Sequence, residues 1–176
     1  MKIGIPKETA PSERRVALTP DAVALLNPGA PPIVICGSGA ERDALAARAQ
    51  RLGLDLRLPG HLAADELIGA YNAATVVVQA RPDEGFPLSL AEALACGRPV
   101  LAVEGGGTPE VLGDAGVIAP RDHLRAFAGL LGELLVDAAR CEGLGAAARR
   151  RAVERFTLER MQQRYADALE ALVSGR

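Results

Sequence analysis

An α/β fold built on an open parallel sheet is what this 176-residue sequence predicts. Three observations carry the prediction. Short runs such as Ile33–Cys36 and Pro99–Val103 are apolar along their length, as strands covered on both faces are. Longer stretches with helical spacing separate them, which calls for crossover connections and a parallel sheet. Glycine-rich or acidic loops follow several of the runs, where such sheets bind their ligands. The class is Rossmann-like, with helices on both faces and a helical C-terminal extension.

The elements follow in order. Lys2–Ile5 reads as a strand, and Pro20–Leu26 as a helix with Thr19 as N-cap and Pro20 at its first position. Asn27–Pro32 is a turn cluster. Ile33–Cys36 is the next strand, and Glu41–Leu52 a helix with Leu45, Ala46, Ala49 and Leu52 on one stripe. A short strand over Asp55–Leu58 stops at Pro59-Gly60, Ala63–Ala74 is helical and Thr75–Gln79 is a strand. The loop Ala80–Phe86 enters a helix from Pro87, at its first position, to about Cys96, where Gly97 ends it. Pro99–Val103 is a buried strand, Glu104–Gly107 a turn, Pro109–Leu112 one helical turn and Gly116–Ala119 the last strand. From Arg121 the chain is helical, with a break expected at Gly143–Gly145 and a final helix over Leu158–Leu172.

Composition narrows the function. At 49% hydrophobic and 24% charged residues, the chain can bury a sizeable core. A net charge of −2 argues against nucleic acid or an anionic membrane as a broad partner, while leaving room for one local anion site. Cys36, Cys96 and Cys141 form no CxxC pair, and His61 and His123 supply no zinc spacing, so no metal site is expected and the thiols read as reduced. With no long apolar run and no signal-peptide pattern, a soluble, cytoplasmic protein is expected, with peripheral membrane contact left open. Both lysines, Lys2 and Lys7, lie in the first seven residues, and every later base is arginine. That start is compositionally foreign.

Three loops after strands could carry chemistry: Gly37-Ser38-Gly39, Asp83-Glu84-Gly85-Phe86 and Glu104-Gly105-Gly106-Gly107-Thr108. Backbone N–H groups where the helix begins at Pro87 make a phosphate cradle, strengthened by the helix dipole, and Gly85 lets a diphosphate approach closely. Glu84 and Glu92 are spaced E-x7-E, which could place both carboxylates on the ligand side of one loop–helix unit. A carboxylate accepts hydrogen bonds from neighbouring hydroxyls, so one suits a ribose and the other a sugar.

The run from Glu84-Gly-Phe-Pro-Leu-Ser-Leu-Ala to Glu92-Ala-Leu-Ala-Cys-Gly97-Arg-Pro-Val resembles the signature of retaining GT-B glycosyltransferases of the family-four (group 1) type. Gly106-Gly-Thr-Pro-Glu110, Ile33–Gly39 and the stretch from Leu144 to Phe156 extend the resemblance over about residues 31–173, although position 87 is often glycine in that family. The resemblance implies the C-terminal, donor-binding half of a GT-B fold. It implies that Glu92 holds the nucleotide ribose, Glu84 lies at the donor sugar and the backbone of Phe86, Pro87 and Leu88 holds the phosphates. Gly60 and His61 would face the base, and Gly37 and Gly39 would line the cleft floor. The donor would be UDP- or GDP-linked, with no cofactor or metal.

Two departures stand out. The family's acceptor domain precedes the donor domain, and 176 residues leave no room for it. The family also clamps the diphosphate with an Arg and a Lys after its first donor-domain strand, and here Arg14 lies where that Lys is expected. A guanidinium neutralises phosphate without copying an ammonium's geometry. Meanwhile Met1–Thr9 and Glu13–Pro20 look like the opening of alanine dehydrogenases and transhydrogenase subunits, in which Arg15 would contact the substrate carboxylate. No complete dinucleotide fingerprint follows, since Gly37-Ser-Gly-Ala-Glu-Arg42 lacks its third glycine.

The expectation is one domain over 1–176: an atypical first unit (1–30), a nucleotide-sugar-binding core (31–120) and C-terminal helices (121–176). The function expected is donor recognition within a glycosyltransferase, with Glu84 and Arg14 as catalytic groups. The isolated chain is expected to bind a donor weakly and transfer little, and self-association is plausible. The rival readings are a non-catalytic Rossmann-like module, or a natural or engineered chimera, and a dehydrogenase-like fragment.

Overall fold

Where the sequence alternates apolar runs with helical stripes, the chain forms parallel strands joined by helices. A computed structural model describes residues 32–175. Its elements are β1 (Ile33–Cys36), α1 (Arg42–Leu52), β2 (Leu56–Gly60), α2 (Ala64–Ala73), β3 (Val77–Gln79) and α3 (Leu88–Ala95). They continue with β4 (Val100–Val103), α4 (Thr108–Leu112), β5 (Val117–Ala119), α5 (Leu124–Val136), α6 (Ala138–Arg155) and α7 (Leu158–Val173). The strand and helix expected at Lys2–Ile5 and Pro20–Leu26, together with Arg14, lie outside the described residues.

Among the described residues the strands pair in two parallel ladders, β1–β2 and β3–β4–β5. A shared core joins them. Ile35 of β1 and Leu45 of α1 cluster with Leu101 and Val103 of β4 and with Phe127, Leu131 and Leu134 of α5. The alternate β4 residues, Val100 and Ala102, face a second cluster with Leu90, Ala93 and Leu94 of α3, Val111 and Leu112 of α4, and Ala148 and Ala152 of α6. Side chains of a strand alternate between faces, so β4 is covered on both and all four of its residues are buried. This is the α/β architecture the sequence predicts, with helices on both faces.

Three local expectations change. First, β2 runs on through Pro59 to Gly60. The register slips there, with Val34 opposite Arg57 but Cys36 opposite Gly60, so the ladder skips the proline that has no N–H to donate. Second, Pro87 is the N-cap of α3, extended at φ −74° and ψ 94°, and the helix starts at Leu88. Third, α6 passes unbroken through Gly143 and Gly145. A Cβ on Gly145 would come within 2.5 Å of the Gly97 carbonyl, so this glycine serves the close packing of α6 against the turn after α3. The break falls instead at Asp137, whose Oδ1 accepts the Arg140 N–H at 2.9 Å and caps α6.

Arginines fasten the helix ends to one another. Arg151 of α6 donates to the Val111 carbonyl at 2.7 Å and the Glu110 carbonyl at 2.6 Å, within α4. Arg149 of α6 donates to the Ala95 carbonyl at the end of α3. A guanidinium can span two carbonyls in a fixed fork, which an ammonium cannot copy. By contrast α7 has an apolar stripe of Leu158, Met161, Tyr165, Leu169 and Leu172, all exposed. Among the described residues no helix is long and apolar enough to cross a membrane.

Candidate functional site

The loop after β3 is held from three sides. At its start, Gln79, only 4% exposed, donates to the Arg81 carbonyl at 3.4 Å and accepts from the Ser89 hydroxyl of α3 at 3.3 Å. Asp83 pairs with Arg121, just past β5, at 3.0 Å. Glu84, half-buried, has Arg81 Nη1 3.9 Å from its Oε1. At the loop's end Pro87 is buried, and the exposed ring of Phe86 meets Phe156, after α6, edge-to-face at 5.7 Å.

The Gly105–Gly107 turn after β4 packs backbone to backbone against this loop. The Gly107 N–H donates to the Glu84 carbonyl at 2.8 Å. A Cβ on Gly106 would run into the Glu84 carbonyl, one on Gly107 into that of Gly85, and one on Gly105 would lie 2.5 Å from that of Pro82. Only glycine permits this approach. The turn therefore fixes where the Glu84 carboxylate starts from and how the backbone enters α3.

No side chain caps α3, and its first turn carries no acidic residue. Its leading N–H groups lack intrahelical acceptors and sit at the positive end of the helix dipole, so the Phe86–Leu88 backbone offers donors to an anion. One turn on, Glu92 is half-buried and its Oε2 accepts a hydrogen bond from the Tyr71 hydroxyl of α2 at 2.9 Å. Burial, and then the Glu92 carboxylate beside it, push the Tyr71 phenol far above the ordinary tyrosine value, so it stays a proton donor. Sequence reading missed Tyr71. The contact spans 21 residues, and no periodicity connects the two helices.

The other expected residues lie at the ends of β1 and β2. The Gly37 N–H donates to the Gly60 carbonyl at 2.7 Å, so these two glycines are brought together, with His61 exposed beside them. The Gly39 carbonyl accepts the Arg42 N–H at 3.2 Å in the turn into α1. Among the described residues, no group of three or more His, Cys, Asp or Glu side chains is placed to hold a metal ion. The thiols of Cys36, Cys96 and Cys141 are free, and burial raises the pKa of each, which disfavours the thiolate.

A family model for glycosyl transferases group 1 matches residues 13–151, well over half of the chain. The chain belongs to the group 1 glycosyltransferases. The D-inositol 3-phosphate glycosyltransferase of Streptomyces bingchenggensis is 35% identical to it over 144 residues, 79% of this chain and 31% of that protein. Among solved structures, the sucrose-phosphate synthase of Thermosynechococcus elongatus matches 89% of this chain and 42% of its own, at 26% identity and a TM-score of 0.73. HepE of Anabaena, solved with UDP-glucose, matches 86% of this chain and 44% of its own at a TM-score of 0.73, and its 24% identity speaks to fold. This group 1 glycosyltransferase chain thus spans less than half the length of each of these relatives. The fold they share is GT-B, and the matched span takes in Arg14 as well as Glu84 and Glu92.

Proposed function

We propose that this chain is the donor-binding part of a retaining glycosyltransferase and that its ligand is a UDP- or GDP-linked sugar. The observation that carries this is the β3–α3 unit: a glycine-clamped loop presents Glu84 and the uncapped start of α3, with Glu92 one turn further on. In this reading the Phe86–Leu88 backbone holds the diphosphate, Glu92 accepts from the ribose hydroxyls, and Glu84 lies at the sugar. Gly37 and Gly39 floor the cleft, and Gly60 and His61 face the base. Charge that builds on the leaving diphosphate is stabilised by N–H groups already aimed at it and by the Arg14 guanidinium. The sequence holds no Asp-x-Asp metal motif, and backbone and arginine take that role here.

Transfer needs an acceptor, and we place acceptor binding in a part of the parent enzyme or partner beyond this chain. The apolar residues exposed on α7 support association with such a part or with a second copy. A cytoplasmic location belongs to the same proposal. The same proposal keeps residues 1–30, which carry both lysines, as an atypical first unit, although the family match takes in its residues from 13 onward, so that only residues 1–12 precede the matched span.

Calorimetric titration of the chain with UDP, UDP-glucose, GDP-mannose and NADH tests the reading. A nucleoside diphosphate is expected to bind, and Glu92→Ala to weaken it at least about tenfold, the order of a lost charged hydrogen bond. Binding of NADH alone, or of none of the four, would defeat it.

A further inference from the structure

We propose that Tyr71 is a positioning residue for the donor site, holding the Glu92 carboxylate in the orientation that receives the ribose hydroxyls. The proposal rests on the reading of Glu92 as the ribose-binding group. A glutamate side chain is flexible, and fixing its rotamers on ligand binding costs entropy that a preformed contact removes in advance. Tyr71 supplies that contact. Its single proton has two acceptors in reach, Glu92 Oε2 at 2.9 Å and the Ser89 carbonyl at 3.3 Å. The shorter one carries the charge, and a charge-assisted hydrogen bond is the stronger of the two.

The phenol is itself anchored. Tyr71 packs against the core cluster formed by α3, α4, β4 and α6. The end of its helix is tied down by Arg98, which follows α3 and donates to the Asn72 carbonyl at 3.2 Å and the Ala74 carbonyl at 3.4 Å. The same guanidinium donates to the Cys96 carbonyl at 3.4 Å. Arg98 therefore ties the ends of α2 and α3 together, and with them the separation of Tyr71 from Glu92. Neither phenol nor carboxylate depends on the ligand for its place. Because the phenol keeps its proton, the contact persists across the physiological pH range.

The test compares UDP and GDP with their 2′,3′-dideoxy analogues on the full chain, as wild type, Tyr71→Phe and Glu92→Gln. Wild type is expected to prefer the ribonucleotide, and Glu92→Gln to lose that preference. Tyr71→Phe, which removes one oxygen and keeps the ring, is expected to reduce the preference about tenfold while leaving the affinity for the dideoxy analogue unchanged. In the double variant the Tyr71→Phe effect is expected to vanish. If Tyr71→Phe keeps the full preference while Glu92→Gln loses it, the positioning role is overturned and the ribose reading stands. If Glu92→Gln keeps the preference, or wild type shows none, both fall.

A second measurement needs no variant. The chain has two tyrosines, Tyr71 and the exposed Tyr165, so tyrosine labelled with carbon-13 at Cζ gives two signals. The ribonucleotide should shift the Tyr71 signal more than the dideoxy analogue does, with Tyr165 as the internal control. Equal shifts from the two ligands, or none, would overturn the proposal.

Discussion

The two ladders use similar residues for opposite ends. In β3–β4–β5, the central strand is buried on both faces, and the loops that leave it are bound to each other by backbone contacts. In β1–β2, Ile35 alone is buried, β2 alternates between half-buried and exposed residues, Val34 is 49% exposed, and the register slips at Pro59 near the carboxyl end. The buried ladder carries the groups proposed for phosphate, sugar and ribose. The open one carries Gly37, Gly39, Gly60 and His61, proposed for the cleft floor and the base. Charge stabilisation tolerates little displacement, so it belongs on the rigid half. Recognition of a base, which differs from enzyme to enzyme, can sit on the looser half.

That contrast can be broken by substitution. The largest effect is expected at Leu101, fully buried in β4: Leu101→Ala should cost about 3 kcal/mol in urea unfolding, whereas Val34→Ala in β1 should cost less than about 0.5 kcal/mol. Comparable costs would mean that the two ladders are equally packed. Gly106→Ala comes next. Its Cβ would meet the Glu84 carbonyl at a positive φ of 48°, so a loss of about 2 kcal/mol is expected, together with weaker nucleotide binding. Unchanged stability and binding would show that the glycine clamp does not hold the loop.

Alkaline pH sharpens the picture at Tyr71. Its folded pKa is raised, so its contribution is complete below the unfolded value of about 10 and is lost as pH climbs beyond it. Above about pH 10 the unfolded phenol releases its proton and the folded one keeps it, so stability should fall by up to about 1.4 kcal/mol per pH unit. Tyr71→Phe should remove that part of the fall, which unfolding at pH 9 and pH 11 would measure. An identical decline in both proteins would place the titration elsewhere. The smallest effect is expected from Arg121→Gln. Its pair with Asp83 is exposed on both sides, so about 0.5 kcal/mol is at stake, fading in high salt.

How much of this was legible in the sequence depends on distance along the chain. Strand runs and helical stripes are local, so the order of elements from Ile33 onward was readable, and so was the E-x7-E unit, which lies on one loop and helix. Gly97 ends α3 as the sequence suggested, but at Gly145 and Pro59 reading glycine or proline as punctuation failed. Gly145 sits inside α6 because Gly97 packs against it, and Pro59 sits inside β2 because the ladder skips it. Both depend on a neighbour remote in sequence. The same holds for Tyr71 on Glu92, for Arg98, Arg149 and Arg151 on helix-end carbonyls, and for the glycine turn on the Glu84 loop. Composition hinted at one of these. Every base after Lys7 is arginine, and three of those arginines donate to carbonyls at the ends of neighbouring helices, Arg98 and Arg151 to two each.

The most direct test of the central claim is a crystal structure of the chain with a nucleoside diphosphate bound. The diphosphate is expected on the Phe86–Leu88 backbone at the start of α3, with the ribose hydroxyls on Glu92 and the Glu84 carboxylate facing the sugar. A diphosphate seated instead on Gly37–Gly39, with Glu92 out of reach of the ribose, would contradict it.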